Sequence, residues 1–240
     1  MKRRATWILC FVAASLMCLG PCALAQDLTL TSPGDNVMDG IYVGPYTATV
    51  GNNASQQIVC DDFADETYIN QTWNTTANTF QDIGNTLWGQ ALGVQKATVL
   101  YEEAAWIILQ MFSGNYNQTQ IGYMSYAIWY LFDAGGTAGN PTGVLAWLGN
   151  NNQAILSGLM YWVNLAQTGY LNLTAAQLAE FVIYTPTNCP NGPGTCNAQE
   201  FMELVTPEGG AALAYLLLAG VACFGAMYRS KSRRATRAAA

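Results

Sequence analysis

Histidine is absent from this 240-residue chain. Its absence removes the commonest general base, the Ser-His-Asp and Cys-His nucleophilic arrangements, and His-ligated zinc. Positive charge is nearly as scarce. Of the 9 Lys and Arg, Lys2, Arg3 and Arg4 open the chain and Arg229, Lys231, Arg233, Arg234 and Arg237 close it, leaving only Lys96 between. All 15 Asp and Glu fall between Gln26 and Glu208. A surface of that sign repels phosphate backbones, which excludes nucleic acid as a partner. Charge of either sign is low, at 10% of residues, and the middle of the chain is polar through Asn, Gln, Thr and Ser instead. That composition suits an exported protein that meets sugars or simply stays soluble.

Long apolar runs are confined to the two ends. Near the N-terminus, basic Lys2-Arg3-Arg4 precedes an apolar run from Trp7 to Leu19 and then Ala23-Leu24-Ala25. This is the order of a secretory signal peptide, residues 1–25, with cleavage between Ala25 and Gln26. Pro21 before Cys22 fits a lipoprotein signal poorly. At the other end, Thr206-Pro207-Glu208-Gly209-Gly210 leads into an apolar segment at 211–227 and then the basic cluster. Such a segment can cross a bilayer as one helix, and the basic cluster holds the C-terminus on the cytoplasmic side. The layout of 206–240 resembles the PEP-CTERM sorting signal, with Gly209 where that family usually has a second Pro. The resemblance implies an exosortase-like processing enzyme as partner, a membrane-anchored precursor, and a final place at the cell surface or in the extracellular matrix. A plain C-terminal anchor is the alternative.

Cysteine is sparse and unevenly placed. Cys10, Cys18 and Cys22 lie in the signal segment and Cys223 in the apolar tail, so Cys60, Cys189 and Cys196 remain for an exported domain. Cys189 and Cys196 flank Pro190-Asn191-Gly192-Pro193-Gly194-Thr195, a turn-forming stretch that can bring two sulfurs together, and they are expected to form a disulfide. Cys60 is left over. It is either a small buried apolar residue, a reactive thiol, or a link to another chain.

Residues 26–39 read as a polar lead-in. Ile41–Val43, Tyr46–Val50 and Gln57–Cys60 are β-rich, with Gly51-Asn52-Asn53 as a hairpin turn. Tyr68 to Phe80 predicts another strand. From Thr98 the period becomes helical, and Leu100, Ala104, Ile107, Ile108 and Met111 share a face. Asn117 caps a second helix that ends at Asp133-Ala134-Gly135-Gly136, a third runs from about Asn152 to Gln167, and Thr174 with Gln177 opens a short fourth. Phe181–Tyr184 is a late strand ended by Pro186. The fold class is therefore α+β, a β-hairpin or small sheet packed on three to four helices. The domain spans 40–186, followed by a disulfide loop and linker at 187–205.

Three pieces of this domain carry a resemblance. They are Gly40-Ile41-Tyr42-Val43-Gly44-Pro45-Tyr46, Val59-Cys60-Asp61-Asp62-Phe63 and Ser125-Tyr126-Ala127-Ile128-Trp129. Together they resemble the thioester domains of bacterial surface adhesins, in which a strand-end Cys meets the Gln of a Gln-x-Ala-Ile-Trp helix. In that chemistry the thiolate attacks the Gln carbonyl, ammonia leaves, and an activated acyl group remains for an amine or hydroxyl to attack. Cys60 matches the family Cys, but Ser125 stands where the Gln belongs and has no acyl carbon. The resemblance thus implies the fold and surface placement, with no thioester.

Other candidates have plain structural alternatives. Trp73, Trp88 and Tyr116 lie in polar segments and could stack on sugar rings or simply pack, whereas Tyr126, Trp129 and Trp106 recur at helical spacing as core residues do. Asp61, Asp62, Asp65 and Glu66 could hold Ca²⁺ but lack EF-hand spacing, and read as a solvated acidic turn. Glu102 and Glu103 point about 100° apart on a helix, which suits no glycosidase pair, and helix N-terminal placement accounts for both. No catalytic residue, metal site or cofactor is expected. The sequence predicts a non-enzymatic exported surface or matrix protein, with a glycan- or exopolysaccharide-binding module as the alternative.

Overall fold

A computed structural model describes residues 25–53, 55–149 and 152–205. The body of the signal segment, 1–24, and the tail, 206–240, lie outside the described residues. With them lie the expected membrane helix and the Thr206–Gly210 motif. Among the described residues no helix is long and apolar enough to cross a membrane.

The β-structure is a closed, antiparallel, six-stranded barrel rather than a small sheet. Its strands are β1 (Ala25–Ser32), β4 (Tyr46–Val50), β5 (Gln56–Cys60), β8 (Phe201–Leu204), β7 (Phe181–Pro186) and β6 (Thr72–Asn78), in that order around the ring. Two of the six overturn the sequence reading. The lead-in at 26–39 contains β1, which closes the barrel because Leu28 pairs with Val50 on one side and Trp73 on the other. The linker at 187–205 contains β8, where Phe201 sits between Cys60 and Tyr184. Signal cleavage at Ala25 would remove one residue of β1 and leave its pairing with β6 intact from Gln26, which lies opposite Thr75.

Alternation builds the barrel interior. Leu28 and Leu30 on β1, and Tyr46, Ala48 and Val50 on β4, are buried while their neighbours are not. A separate two-stranded ribbon, β2 (Val37–Met38) with β3 (Ile41–Tyr42), leans out of this ring, so Ile41–Tyr42 does not belong to the main hairpin.

All the helices among the described residues lie between β6 and β7. They are α1 (Leu87–Leu92), α2 (Val94–Ser113), α3 (Gln118–Asp133), α4 (Val144–Leu148), α5 (Gln153–Gly169) and α6 (Ala175–Leu178). The boxes expected at Asn117/Gln120 and Thr174/Gln177 cap α3 and α6 reciprocally. The long helices α2, α3 and α5 pack on one another through Tyr101, Ile107, Ile108, Met124, Ile128, Leu159 and Trp162. Gly158 lets α5 lie under a ring of α3, since a Cβ there would stand 2.4 Å from Tyr123. Helix α2 begins at Val94, four residues before Thr98, where the sequence places the start of the helical period, and this puts Glu102 and Glu103 mid-helix rather than at its N-terminus. Helix α3 is the element that meets β5, and that contact creates the site.

Candidate functional site

Strand β5 delivers Cys60 to the strand–helix contact, fully buried. Its thiol donates to the Asp62 carbonyl at 3.1 Å. Burial first, and then the carboxyls of Asp62 and Asp61, push the thiol well above its ordinary pKa, while Trp129 on α3 partly opposes this. A thiol held protonated is a poor nucleophile. One turn before Trp129 stands Ser125, buried like Cys60. Its hydroxyl is shared between the carbonyls of Gly44 and Ile121, each at 3.2 Å. Gly44 directly precedes the Pro45–Tyr46 entry to β4, and Tyr46 pairs with Ile58 on β5. Trp129 thus reaches Cys60 from α3, while Ser125 ties the same helix to the entry of β4 and supplies no acyl carbon.

The nearby glutamines are otherwise engaged. The Gln120 side chain accepts from the Asn117 backbone N–H in the α3 cap. Gln199, which the sequence did not single out, is closer to the chemistry. Its amide donates at 2.7 Å to the Asp62 carbonyl that the Cys60 thiol also uses. Nothing in its local sequence marks it, because it reaches the site only through the pairing of β8 with β5.

The acidic stretch is not a solvated turn. Asp61 and Asp62 are fully buried, Asp65 nearly so, and only Glu66 is exposed. Fully buried Glu200 joins them from the residue before β8. Among the described residues no Lys or Arg neutralises this cluster, since Lys96 is the only one and lies exposed on α2. The neutral acid forms are favoured instead. Burial pushes the Asp61 carboxyl well up, and the neighbouring Glu200 carboxyl raises it further. Neither Asp61 oxygen has a hydrogen-bond partner, so nothing offsets the cost of burying its charged form. Burial likewise raises Asp62, with Asp65 as its partner.

Burial also raises Glu200 and Asp65, but hydrogen bonds to their carboxylates partly oppose the shift. Glu200 accepts from the Leu87 N–H at the start of α1 (2.9 Å) and from the hydroxyls of Tyr101 and Thr185. Asp65 accepts from the N–H groups of Gly194 and Cys196, each at 2.8 Å. Cys189 and Cys196 are disulfide-bonded, so Asp65 pins the disulfide loop beside the site. Among the described residues, no group of three or more potential ligands is arranged to hold a metal ion.

Outward from Cys60 the aromatic rings form a continuous path. Tyr126 lies edge-on to Trp129 at 5.1 Å, Trp129 meets Phe63 at 5.3 Å, and Phe63 meets Trp147 at 6.1 Å and 75°. Trp147, on α4, is 45% exposed. It opens into a groove of about 720 Å³ walled by the β2–β3 ribbon, the 63–69 loop and the 140–147 segment. Exposed Tyr42 and Tyr68 line the same groove. The aromatics singled out in the sequence lie elsewhere. Trp73 and Trp88 are core, and Tyr116 packs edge-on to Trp162 at 5.2 Å. A polar neighbourhood in sequence did not put those rings at the surface, because the barrel and helix α1 bury them.

No family model matches the chain, and no curated protein does. Two solved structures are similar to it. One is the N-terminal thioester domain of the fibronectin-binding protein SfbI from Streptococcus pyogenes, at 10% identity over 79% of this chain and 97% of that one, with a TM-score of 0.42. The other is the N-terminal thioester domain of a surface protein from Clostridium perfringens, at 12% identity over 75% of this chain and 98% of that one, with a TM-score of 0.41. At these values neither carries a functional inference.

Proposed function

We propose that the chain is an exported surface or matrix protein whose folded domain binds its target without a thioester and without catalysis. The observation that carries this reading is the α3–β5 contact. Cys60 is buried and protonated there, and position 125 offers a hydroxyl engaged with Gly44 and Ile121 instead of an amide. The carboxyls support the non-catalytic part. Burial holds Asp61 and Asp62 toward their neutral forms, and Asp65 is held by two backbone N–H groups. Export is supported by the signal-like N-terminus and by a disulfide that suits an oxidising compartment. The PEP-CTERM-like tail adds an exosortase-like enzyme as processing partner and the membrane as a transient anchor. A second reading, a glycan- or exopolysaccharide-binding module, is favoured by the groove at Trp147.

Intact mass of the exported protein, before and after methylamine, tests the first reading. The expected result is the mass of the disulfide-bonded chain, unchanged by the amine. Loss of one ammonia together with methylamine capture overturns it. Abolition of that capture by Gln199→Glu would then identify Gln199 as the acyl donor.

A further inference from the structure

We infer that the groove beside Trp147 is a binding site for a glycan built of uncharged hexoses or N-acetylhexosamines, with Trp147 and Tyr68 as its ring platforms. The inference rests on the non-covalent binding reading above and gives it a ligand class.

Three observations combine. The first is exposure. Trp147, Tyr68 and Tyr42 keep 45%, 65% and 46% of their surface in water although they line one concavity. Aromatic rings are usually drawn into a core, as eleven other aromatics of this domain are. These three instead present faces to a groove whose volume falls within the range of small-ligand sites. Two are also held in place, Trp147 against Phe63 and Tyr68 by a 2.6 Å hydrogen bond from its hydroxyl to Glu66. A fixed ring presents contact area at little cost in conformational entropy.

The second observation is the polar complement. Thr142, Glu66 and Gln199 stand among the rings, and Gln199 commits its amide nitrogen to Asp62, leaving its oxygen to accept. Apolar faces interleaved with acceptors match a pyranose, which has C–H faces and a rim of hydroxyl donors. The third is charge. The lining includes Asp65 and Glu66 and no Lys or Arg. Uronate, sulfate or phosphate groups would meet only like charge there, which discriminates against acidic polymers.

Isothermal titration of the exported chain with cellohexaose, laminarihexaose, chitohexaose and alginate oligomers tests the inference. At least one uncharged oligomer should bind and shift the tryptophan emission, and alginate should not. Trp147→Ala and Tyr68→Ala should each weaken binding by about tenfold or more, a loss in line with one stacking platform. Both side chains are exposed, so melting temperature should hold within a few degrees and separate lost binding from lost folding. Three results would overturn the inference: no binding to any uncharged oligomer, tighter binding to alginate, or affinity unchanged in both variants. None of these disturbs the non-covalent reading, which fails only if methylamine capture is found.

Discussion

Cys60 and Gln199 meet at one atom, because thiol and amide both donate to the carbonyl of Asp62, at 3.1 and 2.7 Å. The carbonyl holds the sulfur in its protonated form and turns the amide's nitrogen, rather than its carbon, toward the strand end. A buried protonated thiol reacts slowly. In the native exported protein at pH 8, a thiol reagent such as Ellman's should label nothing within minutes. Under denaturant the Cys60 thiol should react, joined by Cys223 where the tail is retained, since Cys189 and Cys196 are bonded to each other. Rapid native labelling would show that the sulfur is open and ionised.

The acid pairs make stability depend on pH in an unusual direction. Asp61, Asp62 and Asp133 all hold their protons more tightly folded than unfolded, chiefly through burial, and Asp133 is raised to about 6. A raised folded pKa contributes stability that is complete below the unfolded value, about 4, and is lost as pH climbs through the folded value. For Asp133 the loss falls between about pH 4 and pH 6. Thermal melts should therefore show a domain more stable near pH 4 than near pH 7.

Asp61→Asn isolates one pair. An amide keeps the shape of the neutral carboxyl beside Glu200 and has no proton to lose. The variant should match the parent near pH 4 and melt higher near pH 7, by roughly 2–4 °C for each kcal/mol recovered. A variant that melts lower at both pH values would mean that Asp61 acts as a charged residue.

Asp65 and the disulfide form one unit. Asp65→Ala leaves the part-buried N–H groups of Gly194 and Cys196 without their acceptor, which should cost about 1–3 kcal/mol. Replacing Cys189 and Cys196 by Ser frees a loop with a sequence separation of 7 and should cost about 2–3 kcal/mol. The triple variant should lose less than the two effects added, because an undocked loop no longer needs its anchor. Full additivity in denaturant melts would show that the two act separately.

Ser125→Ala removes the hydroxyl that satisfies Gly44 and Ile121. The Ile121 carbonyl lies within α3, so the cost falls mainly on Gly44, at about 1 kcal/mol. No change in urea melts would mean that the hydroxyl does not tie α3 to the entry of β4.

The sequence by itself determined the parts governed by neighbouring residues. Caps at Asn117 and Thr174, the i, i+4 faces of the long helices, the turn between β4 and β5 and the pairing of Cys189 with Cys196 all depend on residues a few positions apart. Only the tertiary structure decided what depends on closure. Strand β1 is too polar and β8 too short to announce themselves. They become strands because Leu28 and Phe201 each find partners on both sides, and a six-stranded ring leaves no edge unpaired. The same closure buries Asp61, Asp62 and Glu200 together, which raises the pKa of acids that look solvated in the sequence. It also draws Trp73 and Trp88 inward while leaving Trp147 and Tyr68 at the groove. Which polar or aromatic group meets water is a property of the closed surface, and distant segments of the chain set it jointly.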